Sequence, residues 1–245
     1  MADLRNYQTR TANAGAQAGT DIDQGLRTYM LRVYNLMALG LAITGLVAFF
    51  ASQAAFADGQ LTAFGQAIYV SPLKWVVMLA PLALVFFLSF RIHTMSVSAA
   101  QATFWVYAGL MGLSLSSIFL VYTGQSITQV FFISAASFAA LSLYGYTTKR
   151  DLSAMGSFLI MGLFGLIIAS LVNLFMQSSA FEFAISVIGV GIFAGLTAYD
   201  TQTIKEMYFE GDDAGTAGRK AIMGALNLYM DFINLFIMLL RLVGD

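Results

Sequence analysis

From Ile92 to Thr148 the chain carries no Asp, Glu, Lys or Arg. A stretch of that length without an ionised side chain cannot coat a water-facing surface. A helix that crosses a bilayer needs roughly 20 mostly apolar residues. The block therefore holds two crossings and a tight turn, which Thr123-Gly124-Gln125-Ser126 supplies. Read the same way, the whole chain offers seven apolar segments: Val33–Gln53, Leu73–Phe90, Ala102–Tyr122, Ile127–Thr147, Leu152–Met176, Phe181–Thr201 and Ala221–Leu240. None alternates with period two, which argues against a β-barrel. The expected fold is all-α, a polytopic membrane protein with seven transmembrane helices.

Composition excludes the other classes. Charged residues make up 10% of the 245 residues, where a soluble domain carries about 25%. That excludes a soluble enzyme and a disordered chain. A formal charge of −1 offers no basic footprint, so no nucleic acid is expected as a partner. The absence of cysteine excludes a disulfide scaffold, a thiolate metal site and a thiol nucleophile.

Basic residues set the expected orientation. Arg5, Arg10, Arg27, Arg32, Arg91, Lys149, Arg150, Lys205, Arg219 and Lys220 fall on the side where the first span begins, against Lys74 and Arg241 on the other. This places the N-terminus in the cytoplasm and the C-terminus outside, as in a bacterial inner membrane. No signal-peptide core precedes the first span, and Asp3, Asp21 and Asp23 do not suit a transit peptide. Residues 1–30 read as a flexible cytoplasmic arm and 31–245 as the transmembrane domain. Gln202–Lys220 is the other sizeable aqueous segment. Neither is long enough to bury its own core, so any chemistry sits in the bundle or a short loop. Pro72 fits the first turn of span two, and Pro81 falls inside it.

Ionisable residues within spans are costly and mark function by default. Asp231 is the clearest, flanked by uncharged residues back to Lys220 and forward to Arg241. Gly224, Asn227, Asp231 and Asn234 share one helical face, which must turn into the bundle. The plainer alternative is a hydrogen-bonded network that only fixes packing. Asp200 closes span six. Ile204, Met207 and Tyr208 continue the apolar face beyond it, so the helix is expected to run on. Arg91 closes span two on the same side, where it can also serve as a snorkelling anchor. Two carboxylates in low dielectric cannot both ionise cheaply, so a pair of them titrates as a unit. The depths conflict: a seventh span starting at Ala221 puts Asp231 about three turns in, while Asp200 looks shallow. His93 lies in a loop without partners of ligand spacing. Glu182 opens span six, where the helix dipole suits an acid. Ser114, Ser116, Ser117, Asn173 and the glycines at 189, 191 and 195 read as packing positions.

Enzymatic readings fail on their motifs, and no enzyme is expected. Tyr199-Asp200 with Asp231 mimics an intramembrane aspartyl protease. The second motif of those enzymes is Gly-x-Gly-Asp, however, and here it is Leu228-Tyr229-Met230-Asp231, with no Pro-Ala-Leu element. The seventh span has no lysine for a retinal Schiff base. A serine or metal protease needs a histidine among its groups, and the single one lies in a loop.

Four segments carry a resemblance: "FRIHTMS" at 90–96, "LYGYTTKRDLSAMGSFLIMGL" at 143–163, "GLTAYDTQTIKEMY" at 195–208 and "ALNLYMDFINLFIMLLRLVG" at 225–244. From about Leu31 onward the chain resembles the Bax inhibitor-1 family (transmembrane Bax inhibitor motif proteins), in its bacterial branch. The resemblance implies a bundle with the last helix central and a pH-sensitive leak of calcium across the membrane. It implies a di-aspartyl sensor at Asp200 and Asp231, with Arg91, by its place at the end of span two, as a basic residue able to pair with it. Asn227 and Asn234 would support the pair, which together with carbonyls and water could form a weak calcium site. Calcium enters as the transported ion, and no tightly bound cofactor is expected. Some bacterial relatives are tied instead to a membrane-bound ATP-dependent protease. The alternative expectation is therefore a regulatory protein that modulates such a protease without transporting ions.

Overall fold

The computed structural model describes residues 24–57 and 59–245. Most of the arm expected over 1–30 lies outside them. Within the described part, Gln24 is already helical, and Tyr29 and Met30 are buried in the core.

Among the described residues, seven helices are long and apolar enough to cross a membrane. They are α1 (Gln24–Ala55), α2 (Leu73–Arg91), α3 (Val97–Leu115), α4 (Gly124–Thr147), α5 (Ser153–Met176), α6 (Ser179–Glu206) and α7 (Ala214–Val243). All seven expected spans are present, with ends that follow caps rather than the limits of apolarity. Ser96, Thr123, Ser178 and Asp213 each accept a backbone N–H from the first turn of the helix that follows, relieving donors that no carbonyl can reach. Thr123 is thus the cap of α4, and Gly124 is its first helical residue rather than part of a four-residue turn. The aqueous segment expected over Gln202–Lys220 shrinks to the stretch between Glu206 and Ala214, because α6 runs on and α7 starts early.

Between α1 and α2 the chain forms a small antiparallel hairpin, β1 (Phe56–Ala57) and β2 (Gln60–Leu61), with Phe56 opposite Leu61. Gly59 holds φ 76° at its turn, a conformation that favours glycine. A single π-helical turn over Gln66–Val70 then leads to Pro72 at the head of α2. Pro81, buried inside α2, has no N–H to give to the preceding turn.

The core is built on α7. Two thirds of its apolar window is buried (67%), against 11–39% for the other six helices. α1, α3, α4 and α6 all pack on it. The outer helices instead turn large side chains outward: Phe158, Met161, Phe164, Ile168 and Phe175 of α5 are all exposed, as a lipid-facing surface requires. Where backbones approach closely, small residues make room. A Cβ at Gly145 of α4 would strike the Ala198 carbonyl of α6.

Tyr229 of α7 is fully buried, edge-on to Phe104 and Tyr107 of α3 at 5.8 and 5.4 Å between ring centres. Its hydroxyl lies 2.6 Å from Thr44 Oγ1 of α1. The single Thr44 proton points to backbone oxygens, at 2.9 Å to Ala108 and 3.0 Å to Gly40. Tyr229 is therefore the donor, and one hydroxyl pair ties α1, α3 and α7. Tyr229→Phe should lower the unfolding free energy in mild detergent by about 0.6–2 kcal/mol. Thr44→Val should cost more, because it leaves the Tyr229 hydroxyl buried without its partner.

At the head of α7, Asp213 caps through Oδ1, which accepts the N–H groups of Gly215 and Thr216 at 2.8 and 3.1 Å. Hydrogen bonds from the Thr216 hydroxyl and N–H, helped by Gly215 N–H and Arg219, hold its carboxyl below the ordinary carboxylate value. A depressed value means that the cap stabilises above the ordinary carboxylate range and fades as pH falls through it. Asp213→Ala should lower the melting temperature at neutral pH, and the deficit should narrow on acidification.

Candidate functional site

α6 and α7 run antiparallel, and three contacts fix their register. The Lys220 ammonium bonds the Met207 carbonyl at 3.0 Å. A Cβ at Gly224 would stand 3.0 Å from Ile204 Cγ2, and one at Gly189 would stand 2.8 Å from Met238 Sδ. This register puts Asn227 and Leu228 opposite Asp200. Asp231 lies three to four residues deeper, about one turn along the axis. Helical side chains lean toward their own N-terminus. The Asp200 side chain therefore leans away from the basic side and the Asp231 side chain leans toward it, so the two converge.

The two carboxyls face one another, close enough to influence each other's charge. Asp231 is 5% exposed and Asp200 half-buried. Asp231 Oδ2 meets no N–H or hydroxyl donor among the described residues. Two buried carboxyls so placed cannot both ionise cheaply, so a proton shared between them is the favoured arrangement. The conflict in depth is thus resolved. Asp200 is not at a helix end, because α6 continues to Glu206. α7 starts at Ala214, earlier than expected, but the charged end of its buried stretch is still Lys220. Asp231 stands eleven residues beyond Lys220, roughly 16 Å at ~1.5 Å per residue.

Arg91 is not brought to the pair. It closes α2 as an exposed residue, and the ion pair found among the described residues is Lys220 with Asp212, at 2.6 Å. Asn227 and Asn234 are half-buried and make no hydrogen bond to either aspartate among the described residues. About 100° separates successive residues around a helix, so Asn234 points roughly 60° away from Asp231. It lines a cavity of about 230 Å³ with Val85, Tyr107, Ser114 and Met230, between α2, α3 and α7. On the same stripe of α7 toward the basic side, Thr216, Lys220 and Met223 line a cavity of about 250 Å³ with His93 and Met207. Asn227 occupies the stripe position between the two. A third cavity, about 260 Å³, continues past Ser114 to Tyr69 and Lys74. The first two cavities thus lie along one stripe of α7, and the third continues between α2 and α3; neither aspartate lines any of the three.

Among the described residues no group of three or more His, Cys, Asp and Glu gathers around one point. The pair offers calcium two carboxyls, short of the six to eight oxygens that it takes. Water would have to complete any shell, which suits passage better than storage.

Other side chains read as packing positions bear that out in part. Ser116 accepts the Tyr69 hydroxyl at 2.8 Å and gives its proton to the Leu113 carbonyl. Asn173 Oδ1 accepts the Ser178 N–H. Gly189 and Gly195 face Met238 and Leu159, whereas Gly191 faces open space. One residue escaped the sequence reading. Gln202, assigned to an aqueous loop, is buried; its Oε1 accepts the Leu152 N–H and its Nε2 donates to the Arg150 carbonyl, both at 2.8 Å. Nothing in the local sequence pattern distinguishes it, since its role depends on where the α4–α5 connection passes.

The pair makes a prediction about stability. If a shared proton joins α6 to α7, raising the pH removes that proton, and two buried charges then repel. The wild-type melting temperature should fall as pH rises. Asp231→Asn keeps a donor for Asp200 without a titrating proton and should flatten that dependence.

Comparison with known proteins agrees with the fold. The family model described as inhibitor of apoptosis-promoting Bax1 matches residues 26–245. An uncharacterized protein of Rickettsia prowazekii is 49% identical over 91% of this chain and 92% of its own. The inner membrane protein YbhL of Escherichia coli is 47% identical over 90% of this chain and 93% of its own. An uncharacterized membrane protein of Streptococcus pyogenes is 35% identical over 92% and 96%.

Proposed function

The chain belongs to the Bax inhibitor-1 family of membrane proteins, and on that premise we propose that it is a pH-sensitive leak for calcium, gated by protonation of the Asp200–Asp231 pair. The observation that carries this reading is the meeting of two carboxyls inside the bundle, with Asp231 buried and its Oδ2 without a hydrogen-bond partner among the described residues. A hydrogen bond between them would exist only while one proton is shared, so its strength would depend on pH. The shared proton draws α6 toward α7 and favours the closed state. Its loss leaves two charges that repel one another and attract a cation, favouring the open state.

The cavities along α7 and between α2 and α3 support a route past the seventh helix. Their walls carry Asn234, Ser114 and Thr216, which suit weak contacts that release an ion, with Lys74 towards one end and Arg219 and Lys220 towards the other. Arg91, exposed at the end of α2, acts in this reading only if α2 moves inward, where its guanidinium would favour the ionised acids. The function needs no catalytic chemistry and no resident cofactor. The excess of Lys and Arg on the side where α1 begins supports a cytoplasmic position for that side in a bacterial cell, with the end of α7 outside. The YbhL relative, named as an inner membrane protein, supports that membrane.

The test is calcium entry into liposomes holding the purified protein, stepped from mildly acidic to mildly alkaline medium, for wild type and Asp231→Asn. Wild-type flux should rise with pH, and the variant should lose that dependence. Flux no greater than that of empty liposomes would end the leak reading in favour of the alternative, a modulator of a membrane-bound ATP-dependent protease.

A further inference from the structure

α1 packs on α3 and α7, and α4 packs on α6 and α7, but the backbones of α1 and α4 stand apart, bridged by the Tyr34 and Ser142 hydroxyls. The gap between them is a groove facing the lipid. At its basic end lies a cavity of about 540 Å³, lined by Arg27, Tyr34, Phe138, Ala139, Ser142 and Tyr146. On its rim Leu31 and Leu143 are more than half exposed (52% and 63%), so it opens sideways, not into the bundle. Further along the same seam a second cavity, about 640 Å³, lies between Leu46 and Phe131 over a floor of Phe232 and Phe236. Phe138 and Phe232, 5.6 Å apart between ring centres, stand between the two.

The inner wall makes no polar demand on an occupant. The Thr201 proton goes to the Thr197 carbonyl at 2.7 Å. Ser142 therefore donates to Thr201 at 2.9 Å, and the Tyr34 hydroxyl donates to Ser142 at 2.6 Å. The hydroxyl protons of Tyr34 and Ser142 are both used within the protein. What the cavity takes is apolar. Its mouth differs. Arg27 lies at the rim. The Lys205 ammonium donates to the Tyr146 carbonyl at 2.8 Å and sits 5.6 Å over the Tyr146 ring. Three donors on an ammonium leave two for another acceptor. An apolar trough under a cationic mouth, at the end of the bundle where basic residues gather, complements an anionic amphiphile.

We propose that the groove between α1 and α4 holds a phospholipid from the leaflet on the basic side, with one acyl chain in the cavity beneath Tyr34 and Phe138 and an anionic headgroup on Arg27 and Lys205. The cavity falls within the range of ligand pockets, roughly 300–1,000 Å³, and its side opening lets a lipid enter without leaving the bilayer.

The test uses the full chain, reconstituted in phosphatidylcholine vesicles containing equal amounts of phosphatidylglycerol and phosphatidylethanolamine, extracted in mild detergent and weighed intact. Wild type should retain phosphatidylglycerol in preference to phosphatidylethanolamine. Arg27→Ala and Lys205→Ala should each weaken that preference roughly fivefold. Ala139→Trp, which fills the cavity from an exposed position, should abolish retention while keeping the wild-type melting temperature. If that variant does not fold, the two charge variants still decide. Equal retention of the two lipids by wild type, or full retention by folded Ala139→Trp, would overturn the proposal. So would spontaneous disulfide dimers of Leu143→Cys in the vesicles, since this cysteine-free chain would then be filling the groove with a second copy.

Discussion

Hydrocarbon offers no hydrogen bond, so a polar side chain within a spanning helix turns toward another helix or back onto its own backbone. In this bundle two such groups turn toward α7. Thr44 meets Tyr229 there, and Asp200 meets Asp231. The Tyr229 hydroxyl and the Asp231 carboxyl lie two residues apart on one helix and are bound to opposite sides of the shell, α1 with α3 and α6 respectively. The first bond is between neutral groups and indifferent to pH. The second depends on a proton. The central helix is thus anchored on one side by a fixed contact and on the other by a conditional one.

That asymmetry bears on how a change at the pair could be felt elsewhere. Weakening the α6–α7 contact does not release α7 from α1 and α3, so motion would fall on α6 and on what α6 holds. Gln202 and Lys205, on the turns after Asp200, grip the α4–α5 connection and the end of α4 through the Leu152 N–H and the Arg150 and Tyr146 carbonyls. A shift of α6 therefore carries α4 with it, and α4 forms one wall of the lipid-facing groove.

The sequence disclosed the spans because apolar length is a local property. Asp231 was legible for the same reason, its uncharged flanks being visible without any partner. The continuation of α6 past Asp200 could be read from Ile204, Met207 and Tyr208. The meeting of the two acids could not be read from spacing, since it rests on an antiparallel register set by Gly224 against Ile204 and Gly189 against Met238. Gln202 was misplaced because a glutamine near charges looks solvated until the loop that it clamps is seen. Arg91 illustrates the reverse: its position along the chain is right for a cluster, but the end of α2 buries the neighbouring Ile92 and leaves Arg91 exposed.

The central position of α7 has a consequence for biogenesis. Translation delivers the helices in order, N-terminal first, and the one on which the others pack enters the membrane after all six. Until then Thr44 lacks Tyr229 and Asp200 lacks Asp231, although α1 with α3, α2 with α3, and α4 and α5 with α6 can already pack on one another. The half-made protein is two sets of packed helices around an open centre that still exposes those polar groups. Insertion of α7 ends that exposure in a single step. The backbone of Asp245 then bonds Thr123 and Ser126 at the turn between α3 and α4, fastening the newest segment to one made long before it.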